Sequence, residues 1–376
     1  MRRITIILFG WLCAASGAFA QVPGVTAGAI RLGQSAPLTG PASALGTEMR
    51  LGATVYFDAV NAHGGIHGRN IELVSLDDGY EPARTEANTR ALIDEQRVFA
   101  LFGYVGTPTS LAALPVFTAA RVPFVAPFTG AEALRNPPNR YAFHLRASYY
   151  DETEEIVRFM VEGTQRRIAV FYQDDSFGEA GLAGVERALS RRDLKTVATG
   201  KVKRNTTDVG AAAKAIAAAH PDGVIMISAY ASCAEFVRQA KRAGYSGRFY
   251  SVSFVGSKAL ADALQEESYG LVISQVVPLP WDVKIPVVKE YQQLMQKAGA
   301  REFSFTSFEG FLAAKVLAEA LRDAGRDLTR ERLITSLERL HNVDLGGFNV
   351  GFGPGNHVAS QFVELTLVGR QGKFTR

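Results

Sequence analysis

The chain is poor in cysteine: among 376 residues there are two, Cys13 and Cys233, which excludes a small scaffold stapled by disulfides. Histidine is scarce as well. Of six, only His63 and His67 share a metal-ligand spacing, and Gly64-Gly65 between them argues against the helix that would turn both rings to one zinc. No metal site is expected. Neither sign of charge dominates, with 41 Lys and Arg against 37 Asp and Glu and a formal net charge of +4. No basic stripe is interleaved with aromatics, so nucleic acid is not an expected partner. The pairs Arg166-Arg167 and Arg191-Arg192 read instead as cations at helix C-terminal ends, where the macrodipole is negative. Catalytic signatures are missing too, with no G-x-S-x-G, H-E-x-x-H, phosphate-binding loop or dinucleotide-binding glycine pattern. Asp77-Asp78 and Asp174-Asp175 place two carboxylates side by side, but adjacent strand residues point to opposite faces, so neither pair is a ready acid/base dyad. They read as turn formers or as polar groups in a crevice. The expectation is a protein that is not an enzyme and carries no cofactor.

Long hydrophobic runs are also absent. The apolar stretch from Ile4 to Ala15 falls short of the ~20 residues of a membrane helix. With Arg2-Arg3 before it and Ala18-Phe19-Ala20 after it, it has the form of a secretory signal peptide over residues 1–20. Gly10-Trp11-Leu12 before Cys13 does not look like a lipobox. Cleavage after Ala20 would remove Cys13, leaving Cys233 as a small buried hydrophobe, and the exported protein would be nearly neutral. At about 150 residues per domain the remainder is long enough for two domains.

What is present is an alternation of short β-branched runs and longer helical patterns, the mark of parallel α/β architecture. Strands are expected at 30–35, 71–76, 99–105, 123–126, 168–172, 224–228 and 272–278. Helices are expected at 47–61, 84–95, 109–120, 178–191, 209–219, 234–243, 287–298, 307–323 and 330–340. A glycine-rich, β-patterned tail follows from Gly346 to Phe374.

Several motifs, in order, carry a resemblance: Gln34-Ser35-Ala36-Pro37-Leu38-Thr39-Gly40-Pro41, Asn61 to Arg69, Asp77-Asp78, Gly103-Tyr104-Val105-Gly106-Thr107, Ala126 to Ala131, Tyr172 to Gly178 and Arg238 to Gly244. Together they resemble the leucine/isoleucine/valine-type (type I) periplasmic solute-binding proteins over nearly the whole chain after the leader. The resemblance implies an α/β fold of two Rossmann-like lobes joined by three crossovers, with a solute trapped between them. Lobe one would be 25–145 plus 275–343, and lobe two 146–274 plus 344–376. It further implies a periplasmic protein that delivers an amino acid or related small carboxylate to the membrane subunits of an ABC permease. A sensor that reports closure to a membrane kinase would share the site and differ in its docking partner.

Candidate ligand-binding residues follow from both lines. Thr107-Pro108 after a strand reads as a helix N-cap with proline at the first helical position. Phe128-Thr129-Gly130 repeats the arrangement one unit later, and such strand ends are where open α/β sheets hold anions. Capping of their own helices by Thr107 and Thr129 is the structural alternative. By the resemblance, Thr107, Phe128 and Gly130 fall where a ligand carboxylate is gripped. Aromatics cluster at strand ends and crossovers: Tyr149, Tyr150, Phe177, Tyr230, Phe254 and Trp281. Phe177 and Tyr230 are the favoured contacts, while Asp151 with Glu154 after Tyr150 reads as a capping box. Ser253 stands where amino-acid binders of this family carry an acidic partner for the ligand ammonium. That departure weakens an amino-acid assignment unless Asp174 or Asp175 substitutes. The family disulfide is missing as well, with Tyr80 and Gly106 near its cysteine positions.

Overall fold

The computed structural model describes residues 22–376, so the leader expected over residues 1–20 lies outside the described residues. The chain builds one parallel sheet first, from β1 (Ala29–Ala36), β2 (Asn70–Asp77), β3 (Ala100–Phe102), β4 (Phe124–Val125) and β5 (Ala142–Phe143), in the order β2-β1-β3-β4-β5. The intervening helices are α1 (Ser43–Ala62), α2 (Pro82–Asp94) and α3 (Thr107–Ala119). A crossover then leads into α4 (Tyr149–Glu162) and a second sheet, through β6 (Ile168–Gln173), α5 (Ser176–Ser190), β7 (Ala198–Val202), α6 (Gly210–Ala218), β8 (Gly223–Ile227), α7 (Tyr230–Arg242), β9 (Arg248–Ser251), α8 (Ser257–Leu264) and β10 (Val272–Gln275). The chain returns to the first lobe for α9 (Pro286–Lys297), α10 (Phe305–Asp323), α11 (Arg330–Arg339) and the hairpin β11 (Val343–Asp344) with β12 (Asn349–Val350). It ends in β13 (Glu364–Val368) and β14 (Phe374–Thr375), which close the second sheet as antiparallel edge strands, in the order β14-β13-β10-β9-β8-β6-β7.

The apolar runs read as strands are buried because helices cover both faces of parallel strands: Ile168 to Gln173 and Gly223 to Ile227 have no exposed residue. The return of the chain to lobe one is fixed by small residues. A side chain on Gly52 would run into the Ser307 carbonyl, and one on Gly310 into the Met49 carbonyl, so α1 and α10 meet backbone to backbone. Among the described residues no helix is long and apolar enough to cross a membrane.

One boundary and several elements differ from the sequence reading. The tail written into lobe two from residue 344 divides. His144 pairs with Val358, donates its N–H to His357 O at 2.8 Å and accepts from Ala359 N at 2.8 Å, and Phe143 stacks on His357 at 3.9 Å. This stretch covers the β5 edge of the first sheet, and only β13 and β14 join the second. The strands β5, β7 and β9 and the helices α4 and α8 have no counterpart in the expected elements; AxGxV and RFYS, for example, are too short and too mixed to show a period of two.

Candidate functional site

The carboxyl ends of β3 and β4 in the first sheet face the carboxyl ends of β6 and β9 in the second, and four aromatic rings meet between them. Tyr80 and Phe128 come from the first lobe, Phe177 and Phe254 from the second. Phe254 lies 6.0 Å from Tyr80, 5.4 Å from Phe128 and 4.5 Å from Phe177 between ring centroids, and Tyr149 lies 5.4 Å from Phe177. All five rings are buried. Aromatic pairs at these tilts carry about 0.5–1.5 kcal/mol each beyond their area burial.

Beside the rings runs a chain of hydroxyls. Thr107 Oγ1 and Thr129 Oγ1 are 2.6 Å apart, and Thr129 Oγ1 donates to the Tyr149 hydroxyl at 3.3 Å. Burial pushes the Tyr149 phenol up to about 12, so it stays a neutral donor and acceptor. Thr107 is therefore not the cap of its helix. Gly106 holds the N-cap position at φ 102 with no side-chain bond, and Thr107 is the first residue of α3. The reason is a close approach, since a side chain at position 106 would collide with the Tyr80 ring. Thr129 does part of the capping expected of it, accepting from Ala131 N at 3.3 Å. Gly130 serves the crossover. A Cβ there would stand 2.7 Å from Tyr149 N and 2.8 Å from Tyr149 Cδ1, and its carbonyl accepts from Tyr149 N at 2.8 Å.

A charged centre lies behind the rings, and the sequence reading did not anticipate it. Arg146, in the crossover between β5 and α4, is fully buried, with its guanidinium 4.5 Å from the Phe128 ring centroid. Its Nη2 donates to Ser253 Oγ, and its Nε stands 3.4 Å from Glu309 Oε1 on α10. Glu152 Oε2 accepts from Ser253 N at 2.7 Å and from Ser274 Oγ at 2.6 Å. Burial pushes Glu309 up to about 7, against the pull of Arg146. For Arg146 burial acts downward, but Glu309 and then Glu152 outweigh it and hold the guanidinium above its ordinary value. Burial lowers nearby Arg135 to about 10; its Nη2 reaches the carbonyls of Thr129, Arg146 and Ala147 at 3.1–3.3 Å, tying the threonine turn to the crossover. The signal for this centre was an arginine and a glutamate set inside apolar runs, Phe143-His144-Leu145-Arg146-Ala147 and Phe308-Glu309-Gly310-Phe311, where a charge is costly unless paired.

The remaining expected residues divide. Ser253 sits at the centre through its contacts with Arg146 and Glu152. Tyr230 spans the rim, its hydroxyl accepting from Ala44 N at 3.3 Å in the other lobe. Tyr150 is turned away and lies under Arg187 at 4.7 Å. Its neighbour Tyr149 takes the inward position, because the N-cap is Ser148, whose hydroxyl accepts from Asp151 N at 3.1 Å in a capping box with Asp151. The box expected between Asp151 and Glu154 does not form. Trp281 stacks on Phe374 at 5.5 Å and edges Phe305, away from the other aromatics. The carboxylate pairs are turn formers. Asp77 accepts from Leu38, Thr39 and Gly79, bonds that outweigh burial and hold it low, while burial raises Asp78 to about 6. Asp175 caps α5 through Phe177 N at 3.0 Å, and Asp174 pairs with Lys201 at 2.8 Å. His63 and His67 each bond a backbone carbonyl, of Ala59 and Arg322, and no cluster of three metal-ligand side chains occurs among the described residues.

A latch joins the lobes at the outer rim. Arg204, beyond β7, bonds Asp175 at 2.8 Å in its own lobe and Glu81 at 3.0 Å in the other. Asn205 donates to Glu81 Oε1 at 2.7 Å and Gly79 O at 2.9 Å. Two of the larger cavities open on outer faces: about 520 Å³ lined by Tyr56, His63, Glu290 and Lys297, and about 510 Å³ lined by Gln265, Tyr269 and Arg370.

Comparison with known proteins bears on this arrangement. The family model described as periplasmic binding protein matches residues 29–373. The chain is similar to a crystal structure of a possible leucine/isoleucine/valine-binding protein from Rhodopirellula baltica SH 1, at 33% identity and TM-score 0.88, covering 95% of this chain and 98% of that one. It is also similar to a substrate-binding periplasmic protein from Ralstonia solanacearum, at 34% identity and TM-score 0.87, covering 92% and 99%. Leu/Ile/Val-binding protein homolog 7 of Brucella abortus (strain 2308) is 27% identical over 315 residues, 78% of this chain and 76% of that one.

Proposed function

Because the chain belongs to the periplasmic binding protein family, we propose that it is the periplasmic solute-binding component of an ABC importer, capturing a branched-chain or aromatic amino acid or a related small carboxylate by closure of its two lobes. The observation that carries this reading is the convergence of side chains from both lobes at one place: Thr107, Phe128 and Thr129 from the first, Phe177, Ser253 and Phe254 from the second. A ligand that contacts both lobes favours the closed arrangement over the open one by its differential affinity. The names of similar proteins as leucine/isoleucine/valine-binding support the size and polarity of the solute.

In this mechanism the solute docks first on the open first lobe. Its carboxylate exchanges with the Thr107–Thr129 hydrogen bond, each hydroxyl turning from its neighbour to the ligand, and the apolar body lies on Phe128 and Tyr80. Phe177, Phe254 and the rim residue Tyr230 then close over it. The closed form would dock on the permease.

Native mass spectrometry of protein isolated from its own periplasm, joined to a thermal-shift screen of branched, aromatic and hydroxylated carboxylates and amino acids, tests the reading. A solute at 100 times its dissociation constant stabilises by about 2.7 kcal/mol, visible as a raised melting temperature. Absence of any retained or stabilising solute would sink it. Within the site, Thr107→Ala is expected to weaken binding by about 1.5–3 kcal/mol, the cost of a lost hydrogen bond to a charged group.

A further inference from the structure

One buried cation between the lobes holds hydrogen-bonding capacity that the other described residues do not use. A guanidinium carries five N–H donors in a planar fork. In Arg146 the Nη2 group is bonded to Ser253 Oγ, while Nε and Nη1 have no hydrogen-bond partner although both are buried. Glu309 is near Nε at 3.4 Å without completing a hydrogen bond. Burial also pushes Glu309 up, against the pull of Arg146. The other carboxylates at the interface are committed elsewhere. Glu81 and Asp175 take Arg204, and Asp174 takes Lys201. Glu152 spends Oε2 on Ser253 N and Ser274 Oγ, and its Oε1 is the one unpaired carboxylate oxygen in the group.

We propose that Arg146 is the anion receptor of this crevice and that the solute is a carboxylate with an apolar, branched or aromatic body and no amino group. The inference rests on the solute-binding reading and narrows it. The N–H that Nη2 has left over, paired with the neighbouring N–H of Nε or of Nη1, matches the two oxygens of a carboxylate, a charge-assisted and geometrically specific pairing. The hydroxyls of Thr107, Thr129 and Tyr149, joined by hydrogen bonds, complete a neutral donor set. The apolar body lies against Tyr80, Phe128, Phe177 and Phe254, whose rings pack on one another across the lobes and separate as the lobes open. An amino group on such a ligand would bring a second cation toward Ser253, whose hydroxyl already receives the Arg146 guanidinium, and its one available partner there, Glu152 Oε1, would make a second buried ion pair whose desolvation offsets much of its gain.

Titration calorimetry on the purified, ligand-stripped protein with two matched pairs decides the matter: 3-phenylpropanoate against phenylalanine, and 4-methylpentanoate against leucine. The members of each pair differ only in the α-amino group. In at least one pair the desamino acid binds, and its amino acid binds roughly 100-fold more weakly or not at all. Arg146→Met removes that binding and Arg146→Lys retains part of it, because lysine keeps the charge and loses the fork. If Arg146→Met fails to fold, the wild-type pairs and Arg146→Lys carry the test. Amino acids binding as tightly as their desamino partners, which would point to Glu152 Oε1 as an ammonium acceptor, overturn the inference, as does unchanged affinity in a folded Arg146→Met. If both pairs fail while another solute in the thermal screen binds, the ligand class is wrong and the solute-binding reading stands. If no solute binds in any format, both fall.

Discussion

Glu81→Ala tests whether contacts between the lobes set the closure equilibrium. The substitution removes two bonds that cross the rim, Arg204 Nη2 to Oε2 at 3.0 Å and Asn205 Nδ2 to Oε1 at 2.7 Å. It leaves no charge stranded, since Arg204 keeps Asp175 at 2.8 Å and Asn205 keeps the Gly79 carbonyl. The start of α2 is also spared, because Glu81 makes no side-chain capping bond and Pro82 holds the first helical position. The Glu81 side chain is 44% exposed, so its ion pair is screened and worth ~0.2–1 kcal/mol. The Asn205 bond adds about 0.5–1.5 kcal/mol. A loss of about 1–2 kcal/mol from the closed state alone lowers its population relative to the open state about 5- to 30-fold. Any ligand held by both lobes loses affinity by the same factor once the open state dominates. The assay is single-molecule distance measurement between dyes on the two lobes, with calorimetric affinity for a bound solute, at low and high salt. The gap between wild type and variant narrows as salt rises, because the Debye length falls from ~10 Å at 0.1 M to ~3 Å at 1 M. An unchanged closed fraction and unchanged affinity would refute the reasoning, even if the melting temperature moved.

Three further outcomes follow from packing and burial. Gly130→Ala is expected to destabilise by about 1–3 kcal/mol, because the new methyl meets Tyr149 N at 2.7 Å and the crossover has to shift; denaturant unfolding measures it. Asp78→Asn is expected to flatten part of the pH profile. The carboxyl is raised from 3.8 to about 6 by burial, so the folded protein holds a proton that the unfolded chain has released between about pH 4 and 6, and stability falls as pH rises through that window. The variant should lack that fall, of up to about 3 kcal/mol in chemical unfolding at pH 4 and 7. Cys233 is buried, its thiol pushed up by burial and facing the Ser228 carbonyl at 3.4 Å. It should react with a thiol reagent only after denaturation, and rapid labelling of the native protein would contradict its placement.

The alternation of elements was legible because parallel strands buried on both faces read as short apolar runs, and helices that cover them read at a period of 3.6. The 168–172 and 224–228 runs therefore stand within a residue of β6 and β8. The candidate turns at Thr107 and Phe128 were legible as strand ends followed by hydroxyl, glycine and proline. Their hydrogen bonds were not. Whether Thr107 caps its helix depends on the Tyr80 ring lying against Gly106, and no local pattern reports that approach. Which of the adjacent Tyr149 and Tyr150 faces inward was not legible for a related reason: the two side chains stand about 100° apart around the helix that Ser148 caps, and packing between elements selects the one that faces the rings.

By itself the sequence determined the class of the molecule: parallel α/β units in two sets, no disulfide framework once residues 1–20 are set aside, no catalytic signature, and strand ends rich in hydroxyls and rings. These properties belong to neighbours in the chain, where backbone geometry turns composition into period. Tertiary structure alone decided that Arg146, Ser253 and Glu309, drawn from three distant segments, share one buried centre, and that Arg204 reaches Glu81 across the rim. Such convergence arises when three crossovers fold two lobes against each other. The desolvation that gives Arg146 and Glu309 their character exists only in the folded chain, because each side chain taken alone would be solvated.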